Sequence, residues 1–431
     1  MKISIFGAGP VGLITSLCFA EAGHQVVCVD VDQSKIDRLK NAEAPFYEPG
    51  LPELLKRQIE MERITFTVDA QVAITHADLI FLAVNTPTIN SHCDLGSIET
   101  AIEQIIADQS RARTILIKST VPPGTHLKYK EKYQRYSVKF ISNPEFIREG
   151  HAISDVRNPD RIVLGLSQGQ DIELIKNIYR PFIKSDEQLI LMDPTSAELT
   201  KYAANIMLAS RISLMNEISR LSERVGADIE SVRRGVGSDH RIGSEFLRAG
   251  LGYGGSCFPK DTEALVSIAK SYGEEFNLTR AVADVNVTQI QRFAQKIITH
   301  AKENKLNTLS LWGVTFKPLS NDLREAPALK VISRLLESGL KLQIFDPVAG
   351  SDLAGLFGNN PLVTIYPNQY ECLKNSDALV IMTEWDEFAR PNFEHMKLLL
   401  RTATIFDGRN IYDPIEMRKL QFSYFSIGRP Q

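Results

Sequence analysis

The chain has 431 residues, 43% hydrophobic and 23% charged, with 26 Gly and 20 Pro. That composition excludes a disordered, collagenous or disulfide-scaffold protein and, at about 150 residues per domain, predicts roughly three globular units. Lys plus Arg (49) against Asp plus Glu (52) leaves a net charge of −3, so nothing global attracts nucleic acid or an anionic membrane. The five cysteines, Cys18, Cys28, Cys93, Cys257 and Cys372, are odd in number and scattered, which argues for a reducing, cytoplasmic setting.

In chain order, Met1-Lys2, the apolar stretch to Ala20 and Ala20-Glu21-Ala22 imitate a secretory leader. Gly7, Gly9, Pro10 and Gly12 interrupt that stretch at spacings better explained by strand (Ile3 to Phe6), Gly-turn, helix to Gly23, and strand (Val26 to Asp30), a βαβ unit. Further buried strands are expected at Asp78 to Val84, Thr114 to Ile117, Lys139 to Ser142 and Arg161 to Leu164, which makes a largely parallel sheet ending near Asp193-Pro194. Thr195-Ser196-Ala197-Glu198 has capping-box spacing, and a long helix should run from there to about Val225. Helical patterns continue to about residue 300. A second alternation follows: strand from Leu309, helix from Ala328 to Glu337, strand from Leu342 to Phe345, and strand from Ala378 to Met382. The expected fold is α/β, with two Rossmann-like doubly wound sheets (1–194 and 301–431) joined by a mainly helical unit (195–300) with a long connecting helix.

Gly7-Ala8-Gly9-Pro10-Val11-Gly12 follows a strand and opens a helix, and Asp30 closes the next strand, the full context of the dinucleotide fingerprint. Gly7 serves the tight turn, Gly9 the approach of a pyrophosphate, and Gly12 helix–strand packing, while the helix N-terminus offers N–H groups. Asp30 favours a ribose 2′-hydroxyl over a 2′-phosphate, hence NAD over NADP. The bland alternative is a turn that needs glycine for geometry alone. A second dense string is Gly252-Tyr253-Gly254-Gly255-Ser256-Cys257-Phe258-Pro259-Lys260-Asp261. Its glycines let backbone approach a ligand closely, and Lys260 or a helix N-terminus favours a thiolate at Cys257, with Asp261 as base, water-orienting group or ion-pair partner. A buried structural cysteine is the competing reading there, and it is the better one for Cys18 and Cys28. Lys201 and Asn205 share a helix face.

These strings resemble the UDP-glucose/GDP-mannose dehydrogenase family, as do Tyr47-Glu48-Pro49-Gly50-Leu51, Lys118-Ser119-Thr120-Val121-Pro122 and Asn143 through Gly150. The resemblance implies a four-electron oxidation of a sugar-nucleotide primary alcohol, UDP-glucose first among them, to a carboxylate with two NAD+. Cys257 would hold the aldehyde as a thiohemiacetal and then a thioester. Lys201 and Asn205 would donate to the developing oxyanion, and Glu145 would act as base through water with Thr120 and Asp261. On the residues alone, Lys201 and Asn205 could be solvated and Glu145 a capping acid. The resemblance extends cofactor contacts to Pro10, Val11, Lys35, Thr86, Thr120, Glu149, Lys260 and Arg324. It extends substrate contacts to Glu145, Phe146, Ile147, Arg148, Glu149, Lys201, Asn205, Phe246, Leu247, Tyr253, Gly254, Phe316, Lys317 and Arg409. Arg241 would reach the substrate across a subunit interface, which implies a homodimer or larger. Phe316 to Arg324 departs from the family's F-K-x-x-T-D-D-x-R pattern at Ser320 and Asn321.

Another sugar nucleotide (UDP-galactose, a UDP-N-acetyl hexosamine or GDP-mannose) is the alternative within this chemistry, and a non-catalytic NAD or nucleotide sensor is the alternative outside it. The basic and aromatic run from Lys128 to Tyr136 reads as a solvated helix face rather than a nucleic-acid site. His92-Cys93-Asp94 has no companion cluster, so no metal is expected.

Overall fold

A computed structural model describes residues 1–89, 92–167 and 172–430. It divides into two compact units, Met1–Ala204 and Asn205–Gln431.

The first unit is built on eight strands: β1 (Lys2–Phe6), β2 (Gln25–Val29), β3 (Ile64–Thr67), β4 (Leu79–Leu82), β5 (Arg113–Ile117), β6 (Val138–Ser142), β7 (Ile162–Gly165) and β8 (Leu189–Met192), in the order β8-β7-β6-β5-β4-β1-β2-β3. Pairing is parallel except where β7 meets β6. The order reverses beside β1, so a crevice opens at the carboxyl ends of β1 and β4, the usual place for ligands in such sheets. Helix α1 (Pro10–Glu21) packs Leu13, Ile14, Leu17 and Phe19 into the core against Ile3 and Ile5. The leader-like segment is therefore the centre of the fold. Edge strands β3 and β8 escaped the sequence reading: each is only four residues long, and at that length neither the alternation in β3 nor the apolar run in β8 separates a strand from its surroundings.

Helix α2 (Pro194–Val225) contains the division between the units. Its start corrects the capping-box expectation: Pro194 is already helical, and Asp193 Oδ1 accepts the Ser196 N–H at 2.9 Å. Glu198 is used elsewhere, its buried carboxylate accepting the N–H groups of Gly124 (2.7 Å) and His126 (2.8 Å) and the Ser142 hydroxyl (3.2 Å).

In the second unit, helices α3 (Phe258–Ser271) and α4 (Asn277–Glu303) precede a six-stranded, wholly parallel sheet. Its strands are β9 (Thr308–Trp312), β10 (Lys341–Phe345), β11 (Val363–Ile365), β12 (Ala378–Ile381), β13 (Thr404–Asp407) and β14 (Ser423–Phe425), in the order β11-β10-β9-β12-β13-β14. Helix α5 (Pro327–Glu337) covers it. Met215 of α2 and Ile290, Phe293 and Ile297 of α4 lie in one apolar cluster with Leu309, Leu311 and Val380. Residues 205–303 thus share the core of the second sheet. No described helix is long and apolar enough to cross a membrane, and no described group of His, Cys, Asp and Glu is arranged to hold a metal.

Candidate active site

The turn after β1 has the geometry its glycines require. Gly7 sits at φ 103° and donates to Val29 O at 2.7 Å; a Cβ there would lie 2.4 Å from Ala83 O, and one on Gly12 would lie 1.9 Å from Gly7 O. Gly9 differs, since a Cβ built on it meets nothing within 4 Å. Its missing side chain leaves open space beside the N-terminus of α1, where Pro10 stands in the first turn and no side chain caps the N–H groups. Asp30 follows β2 directly. One oxygen accepts the Ala8 N–H (2.7 Å) and pairs with Lys35 Nζ (2.9 Å), and the other accepts the Asp32 N–H (3.1 Å). Burial pushes this carboxyl up, but those partners hold it net below its ordinary value. An uncapped helix end, an open glycine face and an ionised acid fit a dinucleotide.

Beyond β4 and β5, the buried Thr86 donates to Thr120 O at 2.9 Å. Past β6, Glu145 and Lys201 are both buried and joined at 2.9 Å, and Glu145 Oε2 also accepts the Ile147 N–H (2.8 Å). The Lys201 ammonium stands 5.4 Å from the centre of the Phe146 ring. Arg148 is exposed and forked onto Asp155, and Glu149 is half-buried. Glu48, quoted above only for its motif, is a buried fastener: its carboxylate accepts the N–H groups of Gly150 (2.6 Å) and Ala152 (2.7 Å). Sequence reading missed Lys118 as a group near Glu145. It is buried at the end of β5, and desolvation pushes it down to about 8 while Glu145 opposes the shift.

In the second unit Asn205 Nδ2 donates to Asp261 Oδ2 at 2.6 Å, and Lys260 Nζ binds the other oxygen at 2.7 Å. Asp261 is 1% exposed, and of the three roles expected for it the observed one is ion-pair partner. Lys201 and Asn205 lie one turn apart on α2, each held by a carboxylate. Cys257 is exposed at the N-cap of α3, with Pro259 in its first turn and Ser256 Oγ 3.7 Å from the sulfur. An anion there meets the favourable end of the helix dipole. The glycines before it behave differently from the reading that opened them to a ligand. A Cβ on Gly254 would lie 2.3 Å from Glu325 O, and one on Gly255 would lie 2.8 Å from the Phe316 ring. The close approach at these positions is made by the chain's own 316–327 segment, where Glu325 itself takes φ 50°.

Arg409 links that region. Its Nε donates to Met382 O (2.7 Å) and lies 3.1 Å from Glu384, and its Nη1 donates to Gly252 O (3.1 Å). Asp407 positions it, accepting the N–H groups of Arg409 and Ile411 at 2.8 Å each and the Tyr424 hydroxyl at 2.7 Å. Lys317 lies 5.5 Å from the Phe316 ring centre, and Arg324 is forked onto Asp322. Leu247 and Tyr253 are buried, Tyr253 packing edge-on against Phe258, while Phe246 is strained at φ 60°. Arg241 is exposed and forked onto Asp239.

Three family models cover the chain: UDP-glucose/GDP-mannose dehydrogenase NAD binding domain over residues 1–183, central domain over 195–288 and UDP binding domain over 310–414. The Bacillus subtilis UDP-glucose 6-dehydrogenase TuaD is 42% identical over 100% of this chain and 93% of its own length. The Pseudomonas aeruginosa UDP-glucose 6-dehydrogenase is 40% identical over 100% of this chain and 98% of its own. The solved UDP-glucose dehydrogenase of Pyrobaculum islandicum superposes with a TM-score of 0.88 at 33% identity, over 99% of this chain and 97% of that one.

Proposed function

The chain belongs to the UDP-glucose/GDP-mannose dehydrogenase family, and from that premise we propose that this NAD-dependent oxidoreductase converts UDP-glucose to UDP-glucuronate: UDP-glucose + 2 NAD+ + H2O → UDP-glucuronate + 2 NADH + 3 H+. The observation that carries the reading is Cys257 at the start of α3, beside an Asp261 that holds Asn205 and Lys260. A pure nucleotide binder has no use for a nucleophile so placed.

Gly7, Gly9, Gly12 and the opening of α1 would hold the cofactor pyrophosphate, and Asp30 with Lys35 the adenosine ribose. Pro10, Val11, Thr86, Thr120, Glu149, Lys260 and Arg324 supply further contacts. When bound there, NAD+ would supply the hydride acceptor for each of the two oxidations. Glu145, through a water shared with Thr120, takes the proton of the sugar hydroxyl. Cys257 Sγ then adds to the aldehyde carbon, and the oxyanion of the thiohemiacetal receives N–H groups of Lys201 and Asn205. Departure of hydride from that carbon leaves a thioester on Cys257. Water activated by Glu145 adds to the carbonyl, the C–S bond breaks, and the carboxylate leaves with the thiol restored. Asp261 orients Asn205 throughout. Lys317 and Arg409 bring positive charge to the diphosphate, and Phe146, Ile147, Arg148, Phe246, Leu247, Tyr253 and Phe316 shape the substrate site.

A homodimer belongs to the same proposal. Met207, Leu214, Leu221 and Val225 of α2 are each more than half exposed. Their spacing of seven, seven and four marks a seam that a second copy would cover, with Arg241 turned to the partner's substrate. Reduced thiols at all five cysteines suit the cytoplasm.

The test is a panel of sugar nucleotides crossed with NAD+ and NADP+, followed by NADH yield and product charge. Two NADH per UDP-glucose is the expected result, and a stronger response to an acetamido sugar would reassign the substrate. The Cys257→Ser variant is expected to lose complete oxidation; normal turnover by it would refute the covalent route.

A further inference from the structure

Residues 250–255, which lead to Cys257, are buried but form neither helix nor strand. Buried peptide groups outside regular structure must find partners individually. Asn216 Oδ1 accepts the Gly250 N–H at 2.8 Å, and Gln289 Nε2 donates to Gly250 O at 3.0 Å. The Leu251 N–H reaches Gly408 O (2.7 Å), and the Gly255 N–H reaches Arg324 O (3.1 Å). Between them a single side chain takes both polar groups of one residue: Asn286 Oδ1 accepts the Tyr253 N–H at 2.9 Å and Asn286 Nδ2 donates to Tyr253 O at 3.0 Å. Asn286 is itself buried on α4, one turn before Ile290. Its amide also explains Gly252, whose φ is 113° and whose missing Cβ would lie 2.6 Å from Asn286 Oδ1.

We infer that Asn286 is a positioning residue for Cys257, an inference that rests on the covalent role proposed for that thiol. The amide does for Tyr253 what a neighbouring strand does in a sheet. It fixes the chain four residues before the sulfur, on a helix that belongs to the rigid core of the unit. With the amide gone, two buried peptide groups lose their partners, the segment relaxes around Gly252, and the sulfur no longer meets the aldehyde carbon on each turnover.

The experiment uses the full-length enzyme with Asn286→Ala and Asn286→Asp. The aspartate still accepts from the Tyr253 N–H but cannot donate to Tyr253 O, so it serves if the alanine variant fails to fold. Steady-state constants are measured with NADH formed per UDP-glucose consumed and with aldehyde captured by a hydrazine added to the assay. Expected for Asn286→Ala is a kcat lower by about 10- to 100-fold, with KM for NAD+ within about threefold. NADH per sugar should fall below two and captured aldehyde should rise, with Asn286→Asp in between. A lower melting temperature with unchanged stoichiometry and no captured aldehyde overturns the inference. Cys257→Ser in parallel separates the two ideas. If that variant completes the oxidation, the covalent route fails whatever Asn286 does; if it does not, while both Asn286 variants behave as the unsubstituted enzyme, only the positioning role fails.

Discussion

The six strands of the second sheet repeat the order of the first six strands of the first, with a set of backbone devices in common, and then the two part company. After β1, Gly7 has positive φ and donates to Val29 O at the end of β2; after β9, Gly313 has φ 78° and donates to Phe345 O at the end of β10. A Cβ on Gly7 would strike Ala83 after β4, and one on Gly313 would strike Thr383 after β12 at 2.6 Å. Each second strand is followed by an aspartate that gathers N–H groups of the first loop: Asp30 takes Ala8, and Asp346 takes Val314 (2.8 Å) and Thr315 (3.2 Å). Asp346 also accepts Val348 and Ala349, and it is buried. One glycine and one acid in these places are therefore requirements of the sheet crossover. A cofactor site begins where the turn enters its helix at once, with Gly9 open and Gly12 tight, whereas α5 starts only at Pro327.

Substitutions in the two turns, at the tight Gly12 of the first and at Gly313 of the second, break this comparison most sharply. Gly12→Ala places a methyl group on Gly7 O, and NAD affinity should fall by about a hundredfold or more in calorimetric titration. UDP-glucose affinity should hold. Gly313→Ala should lower the melting temperature and leave NAD affinity intact; equal loss of NAD binding in both variants would mean that the two glycines serve one purpose. At the acids, Asp346→Asn turns an N–H toward backbone donors and should cost about 2 to 3 kcal/mol in denaturant unfolding. Asp30→Asn should weaken NAD and narrow the preference over NADP, with a smaller loss of stability, since Asp30 is half-buried and takes two N–H groups where Asp346 takes four.

The smallest expected effect concerns acid. His126 in the first unit is buried, and desolvation pushes it down from 6.5 to about 4. The unfolded chain then binds the proton more tightly, so stability is full above pH 6.5 and is lost as pH falls through that value toward 4. Between pH 7 and 5 the loss is at most about 2 kcal/mol. Unfolding curves of His126→Leu should show a shallower acid decline than the parent chain, and parallel curves would remove His126 as the cause.

What could be read in advance was what the chain writes locally. Gly7 to Gly12 and Asp30 stand in a fixed spacing that implies its own geometry, and Lys201 and Asn205 are neighbours by helical period. What escaped reading was set by distant partners. Glu198 matched a capping box but is claimed by residues 124 and 126. Gly254 and Gly255 looked prepared for a ligand because Glu325 and Phe316, some 60 to 70 residues away, are invisible in a local window. Asn286 sits in a helical pattern that gives no hint of Tyr253.

The segment before the thiol has a further consequence for hydrogen exchange. Regions without helix or strand commonly exchange their amides quickly, yet Gly250, Leu251, Tyr253 and Gly255 all donate to partners within the protein. Their order is established when the unit folds, so it makes no demand on substrate binding energy, and in deuterium this irregular stretch should retain its protons as a sheet interior does.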